Sequence, residues 1–344
     1  ELERFCESTG AKLPTSTWGW VVTLVSELLR QRRQLKKPAP VSASKEETHN
    51  ARELSLALDR LALILFFSKL RTLTITLMAL NRGEKAGSLP LRGLGIVAYT
   101  AATLRRYELA DSYFRRGREQ AQGGDGEGLP TLLYMESLAL LTRGQIDQAR
   151  SCHELAIEIT QREGNLFDAS LHHGGLAMLE FHTGNFAKME SLGSRQVQLQ
   201  GQSSSTHRGN LFPLYLSRLM LGRGESVPTE PDARFSGRDP DILDALSAAA
   251  SGFALLERGD TVGACALADQ VMDIVNGSNS ASSGVGVLAL VTEIYLRRWR
   301  DGMRAGSSQV RMYRKRVKQM VKELRTFSRI HRLGGPYHAL YEGT

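Results

Sequence analysis

The chain has 344 residues, 42% hydrophobic and 23% charged, with 44 Lys and Arg against 36 Asp and Glu and a formal net charge of +8. That balance excludes a chain disordered throughout. Three cysteines, Cys6, Cys152 and Cys265, are too few and too odd in number for a disulfide framework and fit a reducing, cytoplasmic setting.

In chain order, residues 1–50 are expected to hold the opening helices and a polar linker that starts at Pro38 and Pro40. The chain begins with Glu1 and shows no basic segment followed by an apolar one, so it is read as a soluble segment of a longer protein. The most apolar stretch, 54–80, is broken by Asp59, Arg60, Lys69 and Arg71. No run there reaches the roughly 20 apolar residues that cross a bilayer, so no transmembrane segment is expected. Within it Leu54, Leu58, Leu61 and Leu65 step by 4, 3 and 4, which is one face of an α-helix.

From 51 to 300 the dominant signal is a recurring pattern. Gly144-Gln145-Ile146 with Ala149, Gly184-Asn185-Phe186 with Met189, and Gly259-Asp260-Thr261 with Ala264 repeat one another, and Arg105-Arg106-Tyr107 with Ala110 is a degenerate copy. Gly224 is taken as the glycine of the unit between the last two. A period of about 35 to 40 residues suits a helix–turn–helix unit. The glycine ends one helix at positive φ, and the small residue five positions later lets the next helix approach closely. Phe114, His153 and Ala268 follow in the second helices, with Gly117, Ala156 and Val271 one turn on; Ala98, Ala177 and Gly252 sit at the matching place in the first helices. Gly- and Ser-rich stretches around 123–130, 201–210, 222–240 and 276–286 are expected as loops.

The last stretch, 301–344, is expected to be a basic amphipathic helix and the start of a further repeat. Val310, Tyr313, Val317, Met320, Leu324 and Phe327 mark its apolar stripe, with Arg311, Arg314, Lys315, Lys318, Lys322 and Arg325 on the solvent face. Thirteen Lys and Arg fall in 297–332, opposed only by Asp301 and Glu323. Such a segment offers electrostatic contact to phosphates, anionic lipid or an acidic partner domain, or is simply a solvated helix face.

Glycine at the turn, alanine in the second helix and an aromatic a turn later resemble the tetratricopeptide family. The flanks, with 63–68, Leu77-Met78-Ala79-Leu80-Asn81, Glu84-Lys85-Ala86-Gly87, 10–14 leading into 18–35, and Leu324-Arg325-Thr326-Phe327 through Gly335-Pro336, are similar to the helical-repeat region of large AAA/STAND-type ATPase signalling proteins. Many of those carry an adenylate/guanylate cyclase domain, others a protein or histidine kinase. The resemblance implies an all-α, tetratricopeptide-like α-solenoid of antiparallel helix pairs, acting as a protein-interaction or regulatory scaffold. Its partner would be a neighbouring domain of the parent chain or a peptide held in the solenoid groove. A compact helical bundle is the plain alternative for the fold.

Site chemistry points to no reaction. Gly83-Glu84-Lys85-Ala86-Gly87-Ser88 lacks the spacing and the lysine of a phosphate loop. Gly123-Gly124-Asp125-Gly126 has no strand before it and reads as a flexible connection. His153, His172, His173 and His182 lie near Cys152 without the spacing of a metal site, and His153 is read as a packing residue near the surface. Cys265, among alanines, reads as a small core residue. Trp18, Trp20 and Trp299 are core residues or interface anchors, with core favoured. No catalytic residue, cofactor or metal is expected, no sequence-specific nucleic-acid binding either, and any active site of the parent would lie outside this chain.

Overall fold

Glycine turns divide the sequence into helical runs, and the backbone follows that punctuation. The computed structural model describes residues 11–36, 44–64, 69–123, 126–201, 211–229, 242–277 and 284–343. Cys6, Gly10, Pro38, Pro40, residues 65–68, Gly124 and most of the Gly- and Ser-rich stretches at 201–210, 230–241 and 278–283 lie outside the described residues. Among the described residues there are fifteen α-helices and no strand, so the fold is all-α.

The chain divides into two compact units, Glu1–Ala139 and Leu140–Thr344. The first holds α1 (Thr17–Lys36), α2 (Lys45–Ile64), α3 (Lys69–Ala86), α4 (Leu91–Thr103), α5 (Tyr107–Gln122) and most of α6 (Leu129–Thr142). Within it α2 packs on α3, α4 on α5, and α1 on α3. Trp20, Leu58, Leu61 and Ile75 centre one apolar cluster; Leu80, Leu94, Phe114 and Leu132 centre the next. Gln120 braces α5 against the start of α4: its amide nitrogen donates to the Leu89 carbonyl at 2.5 Å, and its oxygen accepts the Leu89 N–H at 2.9 Å.

The second unit runs through α7 (Ile146–Glu163), α8 (Leu166–Thr183), α9 (Phe186–Gln200), α10 (Phe212–Met220), α11 (Ile242–Glu257), α12 (Thr261–Gly277), α13 (Gly284–Arg304), α14 (Val310–Ile330) and α15 (Gly334–Glu342). Here α8 pairs with α9, α11 with α12, and α13 with α14. One continuous core extends from Phe181 through Phe253 and Tyr295 to Phe327. Where α11 meets α12 the approach is close: a β-carbon on Gly252 would stand 3.3 Å from the Leu267 side chain and 3.4 Å from the Ala264 carbonyl.

The turns explain the pairing. Arg105, Gly144, Gly184, Gly222, Gly259 and Gly306 all have positive φ. After each, the next N–H bonds back across the turn: Arg106 to Ala101, Gln145 to Leu140, Asn185 to Glu180, Arg223 to Arg218, Asp260 to Leu255 and Ser307 to Gly302, at 2.7 to 3.0 Å. This is the six-to-one closure of a Schellman motif, and it satisfies carbonyls that a helix end leaves bare. The fourth turn corrects the sequence reading. Gly222, with φ 72°, takes the left-handed position, whereas Gly224 opens a short 3-10 turn, Gly224–Ser226. Residues five positions after the turn, Ala110, Ala149, Met189 and Ala264, are 0% exposed, and Val227, five after Gly222, is 1% exposed. A full second helix does not follow Gly222 before residue 229. Arg258 instead holds that turn, donating to the carbonyls of Gly224, Glu225 and Val227 at 3.2, 2.9 and 2.9 Å.

One other expectation shifts. Residues 45–50, expected as linker, form the first turns of α2, where Glu46 and Glu47 complement the helix dipole. Contacts in the second unit also reach beyond sequence neighbours. The Tyr337 ring of α15 stacks on Phe181 of α8 at 5.9 Å, the Tyr341 hydroxyl donates to the Ala289 carbonyl of α13 at 3.3 Å, and the Arg332 N–H donates to the Thr142 carbonyl at 3.1 Å.

Candidate interaction surface

Helix α14 is set in place by its apolar stripe and by two tethers. Tyr313, Val317, Met320, Leu324 and Phe327 are buried at steps of 4, 3, 4 and 3. Arg298 of α13 lies over the Tyr313 ring at 5.3 Å. Arg316 pairs with Asp269 of α12 at 3.0 Å, and the same carboxylate accepts the Tyr295 hydroxyl at 2.6 Å. These contacts fix the rotation of the helix about its axis.

The opposite face is a row of cations. Arg311, Arg314, Lys315, Lys318, Lys322, Arg325 and Arg329 are all exposed. None of the seven forms an ion pair with an acidic side chain among the described residues. From Arg311 to Arg329 the row is about 27 Å long at the α-helical rise. Met312, next to Arg311 in the chain, is 48% exposed. Both aromatic side chains of α14, Tyr313 and Phe327, are buried, so the row offers no ring for base stacking.

Several charges elsewhere are paired internally. Glu180, 2% exposed, is held between Arg150 and Lys188, the latter at 2.9 Å. Burial alone would raise its carboxyl, but the hydrogen bonds from Lys188 and Arg150 outweigh that and hold it below its ordinary value. Arg297 pairs with Glu257 and, at 2.8 Å, with Glu293. A cleft of about 390 Å³ between α5 and α6 is lined by Phe114 and by Asp111, Arg115, Arg118, Glu119, Gln122 and Glu136. Within it Arg118 and Glu136 pair with each other at 2.8 Å.

The packing residues lie inside: Ala98, Ala110, Ala149, Ala156, Ala264 and Ala268 are 0% exposed and Phe114 4%. Gly144, Gly184 and Gly259 stand at turns. His153 is not near the surface: it is 1% exposed, with its Nδ1 2.9 Å from that of His172. Gly175 makes the room, since a β-carbon there would meet the His153 ring at 2.3 Å. No group of three His, Cys, Asp or Glu suited to a metal ion occurs among the described residues. Gly83 and Ser88 close the end of α3 by a Ser88 N–H to Gly83 carbonyl bond of 3.0 Å, with Gly87 at φ 69°. Cys265 is half-buried, Trp20 buried and Trp299 half-buried, whereas Trp18 is 76% exposed, against the core reading. No helix among the described residues is long and apolar enough to cross a membrane.

A scan of protein-family models finds no match to the chain, and a search of curated proteins finds none either.

Proposed function

We propose that the chain is a non-catalytic helical-repeat region, an α-solenoid of tetratricopeptide type, that serves as a protein-interaction or regulatory scaffold in a multidomain signalling protein of the ATPase-coupled cyclase or kinase kind, in the cytoplasm. The observation that carries the binding reading is the unpaired cationic row on α14. Seven like charges held in one line by a buried stripe are a costly arrangement for an isolated surface, and an acidic partner relieves it. The partner is an acidic protein segment, from a neighbouring domain or another chain. In the second unit α15 already covers parts of α8 and α13, which favours the outer face of α14 over a groove-bound peptide there.

The second reading is nucleic acid or an anionic membrane surface held through 297–332. The same row supports it, but the absence of exposed aromatic rings on α14 argues against a stacking platform. Fluorescence anisotropy with a labelled Glu-rich peptide and, separately, a labelled DNA duplex at 0.15 M salt tests the pair. The scaffold reading expects the peptide to bind more tightly, and Lys315→Glu with Lys318→Glu and Lys322→Glu to abolish it. Tighter duplex binding, lost in the same variant, would select the second reading.

A further inference from the structure

Helix α1 carries apolar side chains on both of its faces. Trp18, Val22, Val25, Leu28 and Leu29 face water, 76, 64, 51, 44 and 51% exposed. Its inward face begins apolar, with Trp20 and Leu24, and turns polar at Glu27, Gln31 and Gln34, which are 7, 2 and 7% exposed. The rotation is pinned. The Asn81 side-chain amide of α3 donates to the Glu27 carboxylate at 2.6 Å and to its backbone carbonyl at 3.1 Å, and Trp20 is buried in the first apolar cluster.

We propose that this outward face of α1 is the seam of a homodimer, occupied by α1 of a second copy of the chain in antiparallel orientation. Trp18, Val22, Val25 and Leu29 step by 4, 3 and 4, the spacing by which two helices interlock side chains along a shared seam. A seam of this kind is self-complementary, as a two-fold interface requires. The five side chains leave on the order of 500 Å² of apolar surface in water, at the upper end of what monomers show, so two copies bury about 1,000 Å², the lower bound of a specific interface, before any rim contact is added. Charge selects the direction. Arg32, Arg33 and Lys36 crowd the C-terminal end of α1, beyond Arg30, which pairs with Glu27 at 2.9 Å, while Thr15, Ser16 and Thr17 at its start are uncharged. A parallel pair would place the two basic clusters side by side; an antiparallel pair sends them to opposite ends and sets each against an uncharged segment. This surface is independent of the α14 row.

The test is sedimentation equilibrium of the whole chain under reducing conditions, from 1 to 100 µM. We expect a monomer–dimer equilibrium, weakened at least about 100-fold by Val22→Glu with Val25→Glu, which buries charge in the seam and nowhere in the monomer. Both sites are exposed, so circular dichroism of the variant should match the parent. Should that variant lose helicity, Trp18→Ser with Leu29→Ser decides in its place, by the same shift toward monomer. A chain monomeric throughout the range, or a dimer that either variant leaves intact, overturns the proposal.

Discussion

Arg105 stands at φ 60° in the turn between α4 and α5, the place that Gly144, at φ 76°, takes in the turn between α6 and α7. Both turns close with the same backward N–H bond, Arg106 to Ala101 and Gln145 to Leu140. A side chain in the left-handed region crowds its own carbonyl, a strain that glycine escapes. Arg105→Gly should therefore stabilise the chain by roughly 0.5–1 kcal/mol. Gly184→Ala, where no neighbour lies within 4 Å of the added carbon, should cost about the same through φ alone. Chemical denaturation of both variants checks the pair, and a destabilised Arg105→Gly would mean that the arginine side chain is holding that turn.

Close approach is a separate matter from turn conformation. A β-carbon on Gly193 of α9 would lie 2.9 Å from the Leu214 nitrogen and 3.0 Å from its Cα, both main-chain atoms that cannot swing aside. Gly193→Ala should lower stability by roughly 1–3 kcal/mol. Ala149→Arg, at a site with no exposure, should cost more, because it adds an unpaired charge to the overpacking. Denaturation midpoints measure both, and an unchanged midpoint for Ala149→Arg would contradict the packing register.

The buried histidines set an acid limit. Burial foremost, then the neighbouring charges of His172 and Arg150, lower His153 from 6.5 to about 3, and burial lowers His182 and His331 to about 4. Between those values and about 6.5 the unfolded chain holds more protons than the folded one, so stability falls as pH falls through that window. The depressed Glu180 carboxyl acts in the same direction. Thermal scans of Asp59→Asn, which removes an oppositely acting carboxyl, should show a lower Tm at pH 5 than at pH 7; an unchanged Tm would mean that these rings titrate freely in the folded state.

Asp59 works the other way. It is 4% exposed, and burial pushes its carboxyl up from 3.8 to about 6 despite Arg92 at 3.9 Å. The folded state holds the extra proton between those values, so this group's contribution declines as pH rises through the window. Asp59→Asn should raise Tm at pH 7 and leave it nearly unchanged below pH 3.8. A loss at neutral pH would show that Arg92 needs the full charge.

The cationic row carries a salt signature of its own. Arg311 and Lys315, Arg314 and Lys318, Lys318 and Lys322, and Arg325 and Arg329 are like charges four residues apart, each pair costing about 0.2–0.5 kcal/mol. Raising salt from 0.05 to 0.5 M should raise Tm, and Lys315→Glu with Lys318→Glu and Lys322→Glu should remove most of that rise. The binding loss of that variant then reflects contact and not misfolding.

Much of this was legible in the residues. The turns at 144, 184 and 259, and the small residue five positions after the first and the last of them, follow from spacing, because helix ends and close packing each demand a particular atom count. Gly222-Arg223-Gly224 offers two glycines, and only the backbone reveals which one turns left-handed. The charge pattern of α14 announces its outer face, whereas the periodicity of α1 announces a helix without saying which side meets the core; Asn81 and Glu27 decide that, 54 residues apart. The burial of His153 was hidden for a like reason, since the room for its ring is supplied by a missing side chain at Gly175 on another helix.

The bond from the Arg332 N–H to the Thr142 carbonyl gives the second unit an order of assembly. An open row of helix pairs gains stability one pair at a time, and each pair can form as soon as it leaves the ribosome. Here the carbonyl at the start of the unit and the ring of Phe181 wait for partners made about 190 and about 155 residues later, and closing so long a loop is slow. Until α15 arrives, Phe181 keeps one face open, and the early helices are held at partial stability. Once it docks, helices far apart in the chain hold one another, and α8 cannot loosen without giving up its contact with α15.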